Sequence, residues 1–279
     1  MNTTMNTTTH TTTNTGMLMV DTHAHIWLKD MPLVANPRHQ LDYDFSVAQY
    51  LHTLDAHGVQ FAVIAAASPY ADYNDYTITS VRANPRLRGT VILEPTVDMY
   101  TLAAMNRDGI VGVRLPYINM PVLPDLTTFE YRRTLRRFAD LGWHVHLHID
   151  GPRIAQVLPA LQNAGVNIVI DHFGRPDPKL GVNCDGFKLM LGSIEQGRTW
   201  VKVSAAYRLG DDLAATYGRE LLKQVGPDRL LWASDCPFAG FEGKVTYQQT
   251  IDAVHAWVPQ GPLRHKIFGE NALKLYFST

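Results

Sequence analysis

Met17-Leu18-Met19-Val20-Asp21-Thr22-His23-Ala24-His25 is a short apolar run that ends in two histidines one residue apart. Runs of this kind recur along the 279-residue chain, at 17–22, 61–66, 88–93, 110–115, 144–149, 167–171, 199–203 and 230–233. Each is nearly continuous in apolar residues, as expected of parallel strands covered on both faces. The segments between them carry helical patterns. Ser46 and Gln49 have capping-box spacing, and Val47, Tyr50, Leu51 and Leu54 then share one helical face before Gly58, a C-terminal cap. Thr127 and Glu130 repeat the signature ahead of Tyr131, Leu135 and Phe138, with Gly142 at the end. Pro152 opens another helix, which Pro159 should kink or break. Eight strands alternating with helices predict an α/β fold, a TIM-like (β/α)8 barrel, with a doubly wound open sheet as the alternative. No linker interrupts residues 17–279, which are read as one domain. Residues 1–16 are almost entirely Thr and Asn and are expected to be a disordered tail. Residues 26–45 carry little pattern and are expected to form a loop over the first strand.

Composition narrows the function classes. With 46% hydrophobic and 18% charged residues the chain can bury one large core. A formal net charge of −1 supplies no basic field for nucleic acid or an anionic membrane, and neither is an expected partner. No apolar run reaches the roughly 18 residues of a membrane span. Two cysteines, Cys184 and Cys236, are too few for a disulfide framework and point to a reducing cytoplasm.

The candidate chemistry lies at strand ends. Alternate residues of a strand share a face, so His23 and His25 should both enter the barrel mouth, where two imidazoles can bind one cation. His144, His146 and His148 alternate along the fifth run, with His148 nearest the C-terminal end, where barrel sites form. His172 ends the sixth run and Asp235 follows the eighth. Singly, each has an ordinary structural reading as a core histidine bonded to backbone or a helix-capping aspartate. Five such residues at C-terminal strand ends are a pattern that random scatter of 12 histidines would not produce.

These motifs carry a family resemblance. His23-x-His25, Asp171-His172-x-Gly174-Arg175-Pro176, Ser234-Asp235-x-Pro237 and the closing Asn271-Ala272-Leu273-Lys274-Leu275-Tyr276 resemble the amidohydrolase superfamily. They are closest to its amidohydrolase-2 branch, which contains 2-pyrone-4,6-dicarboxylate lactonase and related lactone hydrolases. The resemblance implies one divalent metal, zinc or alternatively manganese, held by His23, His25, His148 and Asp235. It also implies that Asp235 activates water and that His172 acts on the substrate carbonyl. Two departures from that lactonase stand out. It has a tyrosine in place of His148 and needs no metal, and it has an arginine in place of Met120, a second carboxylate clamp that this chain lacks.

On the substrate side, Arg114, Arg175 and Arg208 offer planar donor pairs suited to carboxylate or sulfonate oxygens. The resemblance implies anion binding for Arg114 and Arg208, whereas Arg175 also reads as an ion-pair partner of Asp177. Tyr207, Trp27, Ser68, Tyr70 and Tyr117 follow strands and could line the pocket or simply pack in loops. Lys202, mid-strand, reads as a buried ammonium near a carboxylate. Cys236 reads poorly as a nucleophile, because it has no base of its own. No serine-hydrolase elbow, phosphate-binding loop or dinucleotide Gly-rich turn is present. The expected activity is hydrolysis of a small acidic lactone by metal- and Asp235-activated water. The alternatives are a metal-dependent decarboxylase of an aromatic or unsaturated acid and a catalytically silent binding barrel. The expected partner is a small anionic molecule; the oligomeric state, a homo-oligomer included, is left open.

Overall fold

A computed structural model describes residues 16–259 and 261–278. The expected tail, Gly16 apart, lies outside the described residues. Eight strands are present: β1 (Val20–Ala24), β2 (Phe61–Ile64), β3 (Leu87–Val91), β4 (Ile110–Pro116), β5 (His144–His148), β6 (Asn167–Ile170), β7 (Thr199–Val203) and β8 (Leu230–Trp232). They pair in parallel and in sequence order, β1 to β8, with helices between them. This is the (β/α)8 arrangement, and the open sheet is excluded. A parallel bridge between Ala24 and Cys236 joins the last strand region to the first. Across that seam the His25 N–H donates to Cys236 O (2.8 Å) and the Asp235 N–H to His23 O (2.8 Å). Main-chain pairing therefore sets the His23-x-His25 and Ser234-Asp235 motifs, more than 200 residues apart, side by side.

Most helix signals hold. Ser46 and Gln49 form the capping box, and Tyr50 and Leu54 are buried; His57 is the cap, and Gly58 follows at φ 67°. The segment opened by Pro152 breaks at Val157, giving a 3-10 turn (Gly151–Gln156) and then a helix (Leu158–Ala164) with Pro159 in its first turn. One cap shifts by a residue. Thr128, not Thr127, caps the helix Phe129–Asp140, because the Thr127 N–H and hydroxyl both donate to Asp125.

The barrel interior is layered. At its floor Val20, Val63, Val169 and Leu231 pack against Ala272 and Tyr276 of the C-terminal helix. Above the floor His144 turns inward opposite Gly112, where a Cβ would come within 2.5 Å of the imidazole. The next layer is polar, with His146 and Lys202 both fully buried, and the site opens above it. β1 does not alternate cleanly, since its register shifts between Asp21 and Ala24. Asp21 faces the surrounding helices, accepting from Tyr50 Oη and Tyr247 Oη (both 2.8 Å), while His23 faces Asp171 inside. No helix of the described residues is long and apolar enough to cross a membrane.

Candidate active site

The ring nitrogens of the two β1 histidines are constrained from opposite sides. His25 Nδ1 lies 2.7 Å from the Ala65 carbonyl, so it carries the hydrogen and leaves Nε2 with a lone pair. His23 Nδ1 faces the Asp171 carboxylate at 3.1 Å, which puts its hydrogen there and frees its Nε2 as well. The two Nε2 atoms then face each other at 3.1 Å, with Asp235 Oδ1 at 3.5 Å from His23 and 3.7 Å from His25. Two lone pairs and a carboxylate oxygen converging in a buried pocket are a donor set for a cation. The residues present fit a divalent metal.

Asp235 is held by its other oxygen. Tyr207 Oη (2.6 Å) and Arg208 Nε (2.7 Å) both donate to Oδ2, and Arg208 also reaches Ala239 O at 3.1 Å. Burial pushes the Asp235 carboxyl up, but Arg208 and then the imidazoles outweigh it and keep the group well below the usual range. Its backbone is left-handed (φ 63°), a conformation costly for a non-glycine residue that aims Oδ1 at the histidines. The buried Asp21 sets this turn, accepting from the Ser234 N–H (2.9 Å) and the Ser234 hydroxyl.

His172 also turns toward Asp235. Its Nε2 lies 3.9 Å from Oδ1, and its Nδ1 is 2.9 Å from Ser204 Oγ. His148, expected as a third imidazole ligand, is placed differently. Among the described residues the candidate metal groups are His23, His25, Asp235 and His23, His146, Asp171; His148 is in neither. Its Nδ1 lies 3.3 Å from Arg114 NH2, and a guanidinium only donates, so the His148 hydrogen sits on Nε2. That Nε2 is buried without a partner in the wall of the cavity.

The other expected residues divide. Trp27, Ser68, Arg114 and Arg208 line the cavity with His25, His148, His172 and Asp235. Arg175 is absent from the lining and approaches Asp150 (3.6 Å), not Asp177. Tyr117 is buried away from the cavity, and Met120 is exposed. Cys236 is a free, buried thiol pushed up by its burial, which removes the thiolate a nucleophile needs.

Three contributors escaped the sequence reading. Asp171 is the hub of the polar layer, contacting His23, His146, Lys202 and Arg114. Its place beside His172 at a strand end was the available signal. Arg38 and His39 come from the 26–45 loop and line the cavity, where no sequence pattern marked them. Arg38 makes no hydrogen bond or ion pair among the described residues. Desolvation, with the neighbouring charges of Arg208 and Arg175, brings its guanidinium down to about 10.

The buried imidazoles predict an acid-sensitive fold. Burial holds His25 at about 3 and His172 at about 4, below the ~6.5 of an unfolded chain. Between those values the unfolded state binds more protons, so the stability present above ~6.5 is lost as the pH falls. The melting temperature of metal-stripped protein should drop between pH ~7 and ~4.5. A flat calorimetric profile over that range would contradict this assignment.

The family model described as Amidohydrolase matches residues 20–277. The chain is 26% identical to the 4-sulfomuconolactone hydrolase of Rhizobium radiobacter, over 92% of this chain and 89% of that one. A structure from Pseudomonas putida, described as a candidate 2-pyrone-4,6-dicarboxylic acid hydrolase, superposes with a TM-score of 0.86 at 34% identity, covering 94% of this chain and 98% of its own. A structure from Acinetobacter baumannii assigned the same activity and holding citric acid gives a TM-score of 0.89 at 29% identity, covering 94% and 100%.

Proposed function

The chain belongs to the amidohydrolase family, and from that premise we propose that it hydrolyses a small acidic lactone at a cation site formed by His23, His25 and Asp235. The observation that carries this reading is the pair of opposed Nε2 lone pairs beside Asp235 Oδ1. Imidazole and carboxylate donors suit zinc, with manganese as the alternative. Such a cation supplies Lewis acidity and makes water a stronger acid.

The chain's own groups account for the remaining steps. Asp235 Oδ1 takes the proton of the attacking water as the water oxygen bonds to the ring carbonyl carbon. The ring C–O bond then breaks, and Asp235 returns the proton to the departing alkoxide, giving a hydroxy acid. His172, kept neutral by burial, and the His148 Nε2–H face the carbonyl oxygen as donors. Arg114 holds an acid group of the substrate at the wall, Arg208 positions Asp235 at the rim, and the unpaired Arg38 adds positive charge. The named activities of the relatives and the citric acid in one of them support an anionic substrate. Trp27 and Ser68 complete the wall, and Tyr207 acts through Asp235. The reducing cytoplasm fits two free, buried cysteines.

The test is a panel of lactones bearing carboxylate or sulfonate groups, followed by acid release and carbon dioxide release before and after chelation. Acid release that chelation abolishes is expected. Carbon dioxide release would instead identify a decarboxylase, and absence of turnover with every compound would leave a binding barrel.

A further inference from the structure

Beneath the cation site lies a second His/His/Asp group, His23, His146 and Asp171, whose donor atoms also lie within 4.8 Å of one another. It differs from the first in one respect. Lys202, on β7 and fully buried, brings its Nζ to 2.9 Å from His146 Nε2, 3.3 Å from His23 Nδ1 and 3.6 Å from Asp171 Oδ1. The ammonium thus sits among the atoms that would coordinate an ion. Asp171 Oδ1 faces this ammonium and the two imidazoles, while Oδ2 faces Arg114 NH2 at 3.5 Å.

We propose that Lys202 fills a second cation position with its own ammonium, so that the barrel takes up one exchangeable metal ion where its donors could hold two. The physical reason is charge. A buried carboxylate is stabilised by facing positive charge; Arg114 faces only Oδ2, so Oδ1, with its two imidazoles, is left to Lys202. A lysine on β7, the strand paired with β6, supplies that charge from within the chain and denies the position to metal. With the ammonium in place Asp171 remains anionic, keeping the hydrogen of His23 on Nδ1 and its Nε2 free for the upper site; an ion in the lower position would displace that hydrogen, leaving His23 to bridge the two ions as an imidazolate. Lys202 is on this account a positioning residue for the metal centre. The inference shares His23 with the cation site of the proposed function but does not require lactone turnover.

The test is metal stoichiometry. Wild type, Lys202→Ala and Lys202→Met are produced in zinc-supplemented medium, equilibrated with excess zinc, desalted and analysed by elemental mass spectrometry. Wild type should retain one zinc per chain, Lys202→Ala two, and Lys202→Met one, because methionine fills the space without donating to an ion's ligands. Two zinc ions in wild type overturn the proposal, as does a folded Lys202→Ala that retains only one. Failure of Lys202→Ala to accumulate as folded protein despite the zinc also counts against it, since metal should replace the lost ammonium. If wild type carries no zinc and Lys202→Ala carries one, the upper cation site fails while this inference stands.

Discussion

Asp235→Asn should lower kcat on any lactone the protein hydrolyses by at least about 10³-fold, within the range expected for loss of a general base. The amide cannot take a proton from water, and it withdraws the only carboxylate from the group of His23, His25 and Asp235. The fold should persist. The side-chain oxygen of asparagine can still accept from Tyr207 and Arg208, and the backbone bond from residue 235 to His23 O is unaffected. Steady-state kinetics beside a thermal melt separates the two effects. Turnover near the wild-type level would remove Asp235 from the chemistry.

The second large effect is a contrast between histidines. His25→Ala should weaken metal binding by more than the roughly 10–100-fold typical of losing an outer partner, and hydrolysis should fall with it. His148→Ala should keep its metal and lose about 10²–10³-fold in kcat, the usual effect of removing one oxyanion donor. The difference follows from which ring nitrogen is free. His25 gives its Nδ1–H to a carbonyl and presents a lone pair, whereas His148 accepts from Arg114 and presents an N–H. Elemental analysis of both variants reads the split directly. Loss of metal from His148→Ala would return that residue to the ligand set.

The barrel was legible because its signals are local. Apolar runs, a capping box at Ser46 and a break at Pro159 depend on neighbours a few residues away, and these features formed much as read. The ends of the runs were also informative, since residues at C-terminal strand ends of a barrel meet whatever the loops do. His23, His25, His172 and Asp235 were reachable in this way. Face-sharing in β1 was less dependable. The register shift there separates Asp21 from His23, although regular alternation would have put them on one face. Arg38 lay out of reach because its loop has no periodicity. That loop is placed by the Trp27–Phe45 bridge and by packing of Trp27 and Leu41 against Tyr70 and Ala239.

By itself the sequence determined a (β/α)8 barrel, the cluster of histidines and Asp235 at its mouth, and a family of hydrolases. Hydrophobic period and strand-end position are properties of the chain, independent of long-range contacts. Tertiary structure alone decided the division of labour among the histidines. A neutral imidazole is a donor on one nitrogen and an acceptor on the other, and the partner across the barrel selects which. Ala65 O and Asp171 leave a lone pair on the Nε2 of His25 and of His23, Arg114 leaves His148 its Nε2–H, and Lys202 occupies the layer beneath them.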